Sequence, residues 1–175
     1  MRGAEPSPRR PPDPFDVRAA QHFLGLGFAR VLARSTEAQQ YRPGFELRFM
    51  DSLVWTRPYT TLGGSVSVSF RSLPGGYAFS AGQSAGFAGL RFGPLDLRAG
   101  AGVSLLNLDS LGTGLRASLG SPRTSASLGL RFASVRVDLG AHLEYLWRWS
   151  APDVYVRGVG VVLSLLQTQL GPHFQ

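Results

Sequence analysis

His142 and Glu144 are the residues whose types and spacing come nearest to chemistry. They lie two apart, so on a strand they share one face. Arg136 and Asp138 precede them with the same parity. An imidazole beside a carboxylate is part of an acid–base arrangement, and a nucleophile within hydrogen-bond reach would complete it. Ser104, Ser118 and Ser127 are the hydroxyls available on similar faces, but no spacing ties any of them to His142. The competing reading is a polar network in one enclosed lumen: Glu46, Arg48, Asp96, Arg98, Arg116, Arg131, Arg136, Asp138, His142 and Glu144. Charges withdrawn from water must be paired and hydrogen-bonded. Arginine suits that task because its planar fork engages several carboxylate oxygens. The network is the preferred reading, and it predicts a plugged or very narrow interior.

Other chemistry is poorly represented. His22 and His173 stand apart and show no metal-ligand spacing, and the chain has no cysteine, so no metal site is expected. Gly100-x-Gly102 and Gly158-x-Gly160 do not open a helix after a strand, so they are not phosphate loops. They read as small residues on an inward face, and no cofactor is expected.

The element that positions His142 and Glu144 is Val135 to Trp149. Val135, Val137, Leu139, Ala141, Leu143, Tyr145, Trp147 and Trp149 alternate with Arg136, Asp138, Gly140, His142, Glu144, Leu146 and Arg148. One face is continuously apolar, the other charged or small, with Leu146 as the exception. A helix would mix the two sets, since its period is 3.6.

Similar alternation recurs along the chain. Ala20–Ala33, Gly44–Met50, Ser65–Arg71, Tyr77–Phe92, Leu95–Leu105, Leu115–Gly120, Ala126–Phe132 and Asp153–Leu165 all read as strands. Leu53–Thr60 is a further short candidate, with Pro58 confining it to an edge or bulge. Turn residues separate them at Pro74-Gly75-Gly76, Gly93-Pro94, Ser121-Pro122-Arg123 and Ala133-Ser134. Ten strands are favoured, because closed single-chain bacterial barrels carry an even number. Eight is the alternative, if two of the short segments extend their neighbours. Residues 1–19 hold five prolines between Pro6 and Pro14 and read as a disordered leader; 20–166 is the barrel; 167–175 is a tail.

Composition narrows the partners. The net charge is +7 and all 18 basic residues are arginine, but apart from the Arg9-Arg10 pair they are spread singly along the chain. A nucleic-acid domain concentrates its charge in one patch, so nucleic acid is not an expected partner. The first twenty residues carry no apolar core of a secretion signal.

Alternation alone does not say which face points inward. A lipocalin-like soluble barrel puts the apolar face inside; a membrane barrel puts it outside. The polar face here is glycine, serine and alanine interspersed with charge, which suits a crowded lumen. The apolar face ends in aromatics, Phe92, Phe132, Tyr145, Trp147, Trp149 and Tyr155, the girdle position of a transmembrane strand. The short connections fit an up-and-down meander.

On these residues the chain resembles the small bacterial outer-membrane β-barrel proteins, over about residues 20–165. Gly160-Val161-Val162-Leu163-Ser164-Leu165 is similar to the final-strand signal of that class, departing from it by ending in leucine. The resemblance implies an all-β antiparallel transmembrane barrel in the outer membrane, surrounded by lipid bilayer. Lipopolysaccharide and the barrel-insertion machinery are its implied partners. The function expected is structural, adhesive or narrow-pore, without catalysis. A soluble barrel holding an apolar ligand is one alternative. A lipid-modifying hydrolase using His142 is another, although His142-Leu143-Glu144 lacks the serine of the His-x-Ser pattern that some outer-membrane lipid hydrolases carry.

Overall fold

A computed structural model describes residues 20–37, 40–73, 76–110, 115–146 and 153–170. They form eight strands: β1 (Ala20–Ser35), β2 (Arg42–Thr56), β3 (Thr60–Leu73), β4 (Gly76–Phe92), β5 (Leu95–Asp109), β6 (Arg116–Phe132), β7 (Val135–Leu146) and β8 (Val154–Leu170). Each pairs antiparallel with the next, and β8 closes on β1. The sheet therefore has no free edge.

The strand number is eight rather than the favoured ten, and two mergers account for the difference. Gly44–Met50 and the first part of Leu53–Thr60 are one strand, β2, which continues through Asp51 and Ser52 with its alternation unbroken. Pro58 lies in the turn after it, where Arg57 N–H donates to the Thr60 carbonyl at 2.9 Å. Leu115–Gly120 and Ala126–Phe132 likewise join in β6. Pro122 is tolerated inside that strand for a local reason. It pairs with Val103 of β5, but pairing with β7 starts only at Arg123↔Glu144. A missing N–H costs little where no second neighbour waits for it.

β8 also runs past residue 166, because Thr168, Gln169 and Leu170 pair with the first residues of β1.

Strand parity sorts the side chains. Leu24, Leu26, Phe28, Phe49, Leu97, Leu128, Leu139, Leu143 and Leu163 are exposed on the outer wall. Glu46, Arg71, Asp96, Ser104, Arg123, Arg136 and Glu144 are buried inside. An eight-stranded barrel is just wide enough for side chains to fill it. An apolar exterior over a polar interior inverts the soluble arrangement and is the transmembrane one.

The two ends differ. The connections 57–59, 93–94 and 133–134 at one end are short; at the opposite end 36–41, 110–115 and 147–153 are longer, with 74–75 as the short exception. Short turns mark the periplasmic side of such barrels and longer loops the outside. At the loop end the lumen is capped by an apolar layer of Val31, Ala33, Leu73, Ala78, Leu146, Val154 and Val156. Leu146 breaks the polar alternation of β7 because it belongs to this layer, where it is 1% exposed.

Candidate functional site

Beneath the apolar layer the lumen is crossed by ion pairs. Arg71 on β3 is fully buried, and its Nε donates to Glu46 Oε2 of β2 at 2.6 Å. Its Nη2 pairs with Glu144 Oε2 of β7, on the far side of the barrel. Arg123 of β6 lies 3.5 Å from the same Glu144 oxygen, and Arg48 pairs with Glu46. Ser104 of β5 donates to the other Glu144 oxygen at 2.8 Å. With its amide oxygen turned to the guanidiniums, Gln83 accepts from Arg71 and Arg123 at 3.2 Å and donates to Ser67 at 2.9 Å. Asn107 joins Ser80 and Ser121 alongside.

A second group lies toward the turn end. Arg136 and Asp138, two apart on β7, form a bidentate pair at 2.7 and 2.6 Å. Arg136 also reaches Asp96 of β5, and Arg98 approaches Asp96 at 3.3 Å. The Arg98 guanidinium lies over the Phe87 ring at 4.7 Å. Arg131 sits nearer the rim and donates to Gln21 Oε1 at 2.5 Å. A cavity of about 140 Å³ lies between the two groups, bordered by Arg48, Ser67, Gln83, Ser125 and His142.

Glycine makes room for these side chains at two positions. Gly158 pairs with His142 across β7 and β8, and a Cβ there would meet the imidazole ring. Gly129 pairs with Asp138, and a Cβ there would meet both members of the Arg136–Asp138 pair.

Of the sequence candidates, Glu46, Arg48, His142 and Glu144 meet in the upper group, and Asp96, Arg98, Arg136 and Asp138 in the lower one. Arg116 pairs through its backbone with Asp109, and its side chain lies outside the described ones. His142 Nε2 is 3.5 Å from Glu46 Oε2, with no serine hydrogen-bonded to it among the described residues. Glu144, its partner by spacing, is engaged by Arg71, Arg123 and Ser104 instead. Of the aromatic candidates, Phe92 and Phe132 are exposed at the turn end, and Tyr145 and Tyr155 meet at the loop end as a tilted pair with centroids 4.9 Å apart. Trp147 and Trp149 lie outside the described residues.

Arg71 and Arg123 are the central residues that spacing missed. Arg71 carries the parity of Ser65, Ser67 and Ser69, which is a signal for an inward position. Arg123 follows Ser121-Pro122, which reads as a turn and hides the strand. His22, isolated in sequence, meets Asp51 at 2.5 Å on the outer wall near the turn end. No cluster of metal-ligating side chains occurs among the described residues.

The Neisserial surface protein NspA is similar in structure, with a TM-score of 0.61 at 15% identity over 83% of this chain and 97% of that one. The chain has the fold of a small outer-membrane β-barrel. Two further solved structures align at lower scores. The attachment invasion locus protein Ail of Yersinia pestis gives 0.48 at 15% identity, over 85% of this chain and 99% of its own. The outer membrane enzyme PagL gives 0.47 at 12% identity, over 79% and 98%. No family model and no curated protein matches the sequence.

Proposed function

We propose that this protein works in the bacterial outer membrane as a closed, non-catalytic barrel with a structural or adhesive role. Its partners are the surrounding bilayer and lipopolysaccharide, and its insertion uses the barrel-insertion machinery. The observation that carries the reading is the obstructed lumen: the Arg71–Glu144 pair spans it, and the apolar layer around Leu146 lies above. Ions crossing such an interior would have to displace buried, paired charges and then a dry layer, each at a cost of several kcal/mol, roughly. Lipid acyl chains lie outside the wall, whereas His142 points inward at 7% exposed, which weighs against a lipid hydrolase centred on it. An interior of arginine and carboxylate weighs equally against an apolar ligand inside a soluble barrel. What remains for function is the outer wall and the loop end.

Reconstitution in planar lipid bilayers tests the closed lumen. The expected trace has no unitary current steps at moderate voltage. A steady ohmic conductance from folded protein would replace this reading with a pore. Extraction of the expressed barrel by plain buffer, without detergent, would remove the membrane reading altogether.

A further inference from the structure

On the outer wall of the described strands, charge is rare and confined. Parity places five such side chains outward: His22 and Asp51, which pair with each other, and Arg30, Arg34 and Arg157. The three arginines lie together at the loop end of β1 and β8. In register, Arg30 stands opposite Val159, Leu32 opposite Arg157, and Arg34 opposite Tyr155. Arg157 therefore falls between the heights of Arg30 and Arg34 on the adjacent strand. Tyr41 at the edge of β2 takes two of the guanidiniums: Arg34 lies 5.1 Å and Arg157 4.9 Å from its ring centroid. Arg34 is also 5.9 Å from the Tyr155 ring.

No carboxylate is paired with these three arginines among the described residues. Asp153 at the same end accepts a hydrogen bond from the Tyr145 hydroxyl. The Arg34 Nε is buried and has no hydrogen-bond acceptor among the described residues. Elsewhere at the loop end the wall is apolar, with Phe70, Tyr77, Phe79 and Leu105 exposed. Like charges gathered on a lipid-facing wall are costly unless an anion meets them.

We infer that Arg30, Arg34 and Arg157, with Tyr41 and Tyr155, form a binding site for the phosphates of a phosphorylated glycolipid in the outer leaflet. The inference deepens the proposed outer-membrane reading and rests on it. The planar guanidinium matches phosphate oxygens in bidentate geometry. Arginine stems lie along apolar surface while their heads reach the headgroup layer. Phe28, two residues below Arg30, stacks at 5.7 Å on Phe45, which stands opposite Arg30 on β2, so an aromatic pair begins at the height of the lowest arginine, where acyl chains would run. Arg30 and Arg34 are four residues apart on one strand, about 13 Å at the usual rise. One phosphate does not span that distance, so the ligand carries two phosphates or two lipids bind side by side.

The full chain in phosphatidylcholine nanodiscs tests the site. Three discs are doped with equal amounts of bisphosphorylated lipid A, its fully dephosphorylated form, or phosphatidylglycerol. Lipid retained on the barrel after mild detergent release is counted by native mass spectrometry. Bisphosphorylated lipid A is expected to be retained about tenfold above the other two. The triple variant Arg30→Gln, Arg34→Gln, Arg157→Gln is expected to fall to their level, and Arg157→Gln alone to lie between. Arg91→Gln, at the turn end, removes the same charge elsewhere and is expected to retain lipid like the parent. Equal retention of all three lipids by a folded barrel overturns the site, as does a triple variant that binds like the parent. Retention of phosphatidylglycerol equal to bisphosphorylated lipid A reduces the patch to unspecific charge attraction and overturns it too. A chain that does not insert into any disc overturns the membrane reading itself, and the site with it.

Discussion

Arg71 and Glu144 lie 73 positions apart in sequence and form an ion pair across the lumen, from β3 to β7. In a closed ring of eight strands these two are diametrically opposed. The pair therefore ties one wall of the barrel to the other. Neighbouring strands are already joined by backbone ladders, so this cross-brace adds what the ladders do not. Glu46 completes it, so that one guanidinium bridges two carboxylates, with Arg48 and Arg123 supplying the remaining positive charge.

Removing the cation alone should be severe. Arg71→Met leaves Glu46 and Glu144 buried, although Arg48 and Arg123 still offset part of their charge. The expected loss is about 3–5 kcal/mol, the usual result of stripping one partner from a buried pair. Urea unfolding in lipid vesicles, followed by tryptophan fluorescence, measures it. Changing Glu144→Gln in the same chain should recover part of the loss. An unfolding midpoint equal to the parent's for Arg71→Met would mean that the brace contributes nothing.

The His142–Gly158 contact makes a two-residue test. Gly158→Ala inserts a methyl where the imidazole ring lies. The expected cost is about 1–3 kcal/mol, typical of overpacking a filled interior. His142→Ala combined with Gly158→Ala should cost less than the sum of the single changes, because the ring that clashes is gone. A double-mutant cycle on the same unfolding assay reads the coupling. Strict additivity would place the ring elsewhere.

Proline tolerance in β6 should depend on position. Pro122 has a ladder partner on one side alone, so Pro122→Val is expected to change stability by less than about 1 kcal/mol. Thr124 pairs with Ala101 on one side and Leu143 on the other. Thr124→Pro is expected to cost about 3 kcal/mol or more, or to prevent refolding. The gel shift between folded and boiled barrel distinguishes the two variants. Equal folded yields would contradict the register.

The alternation of small and charged residues with apolar ones decided, in the sequence itself, that the chain is built of amphipathic strands and which residues share a face. Period two leaves no choice, since a one-residue slip would exchange the two faces wholesale. Hence Arg136, Asp138, His142 and Glu144 make one row by their spacing alone. Leu146 was legible as an exception, but its reason was not. The apolar layer that holds it draws on β1, β3, β4, β7 and β8, and no local pattern assembles residues so far apart.

Strand number and ion-pair partners were decided only by closure. Pro122 and Asp51 look like interruptions, and pairing across the sheet carries the strand through both. Arg71 looks like one polar residue among serines until β3 stands opposite β7. Which arginines are paired was equally invisible. Parity puts Arg30 on the apolar row of β1, but the carboxylates that meet Arg71 and Arg123 come from other strands. The register between β1 and β8, the two ends of the described chain, brings Arg30, Arg34 and Arg157 together. Hydrophobic periodicity is a local property; charge pairing depends on distances that exist only once the sheet has closed.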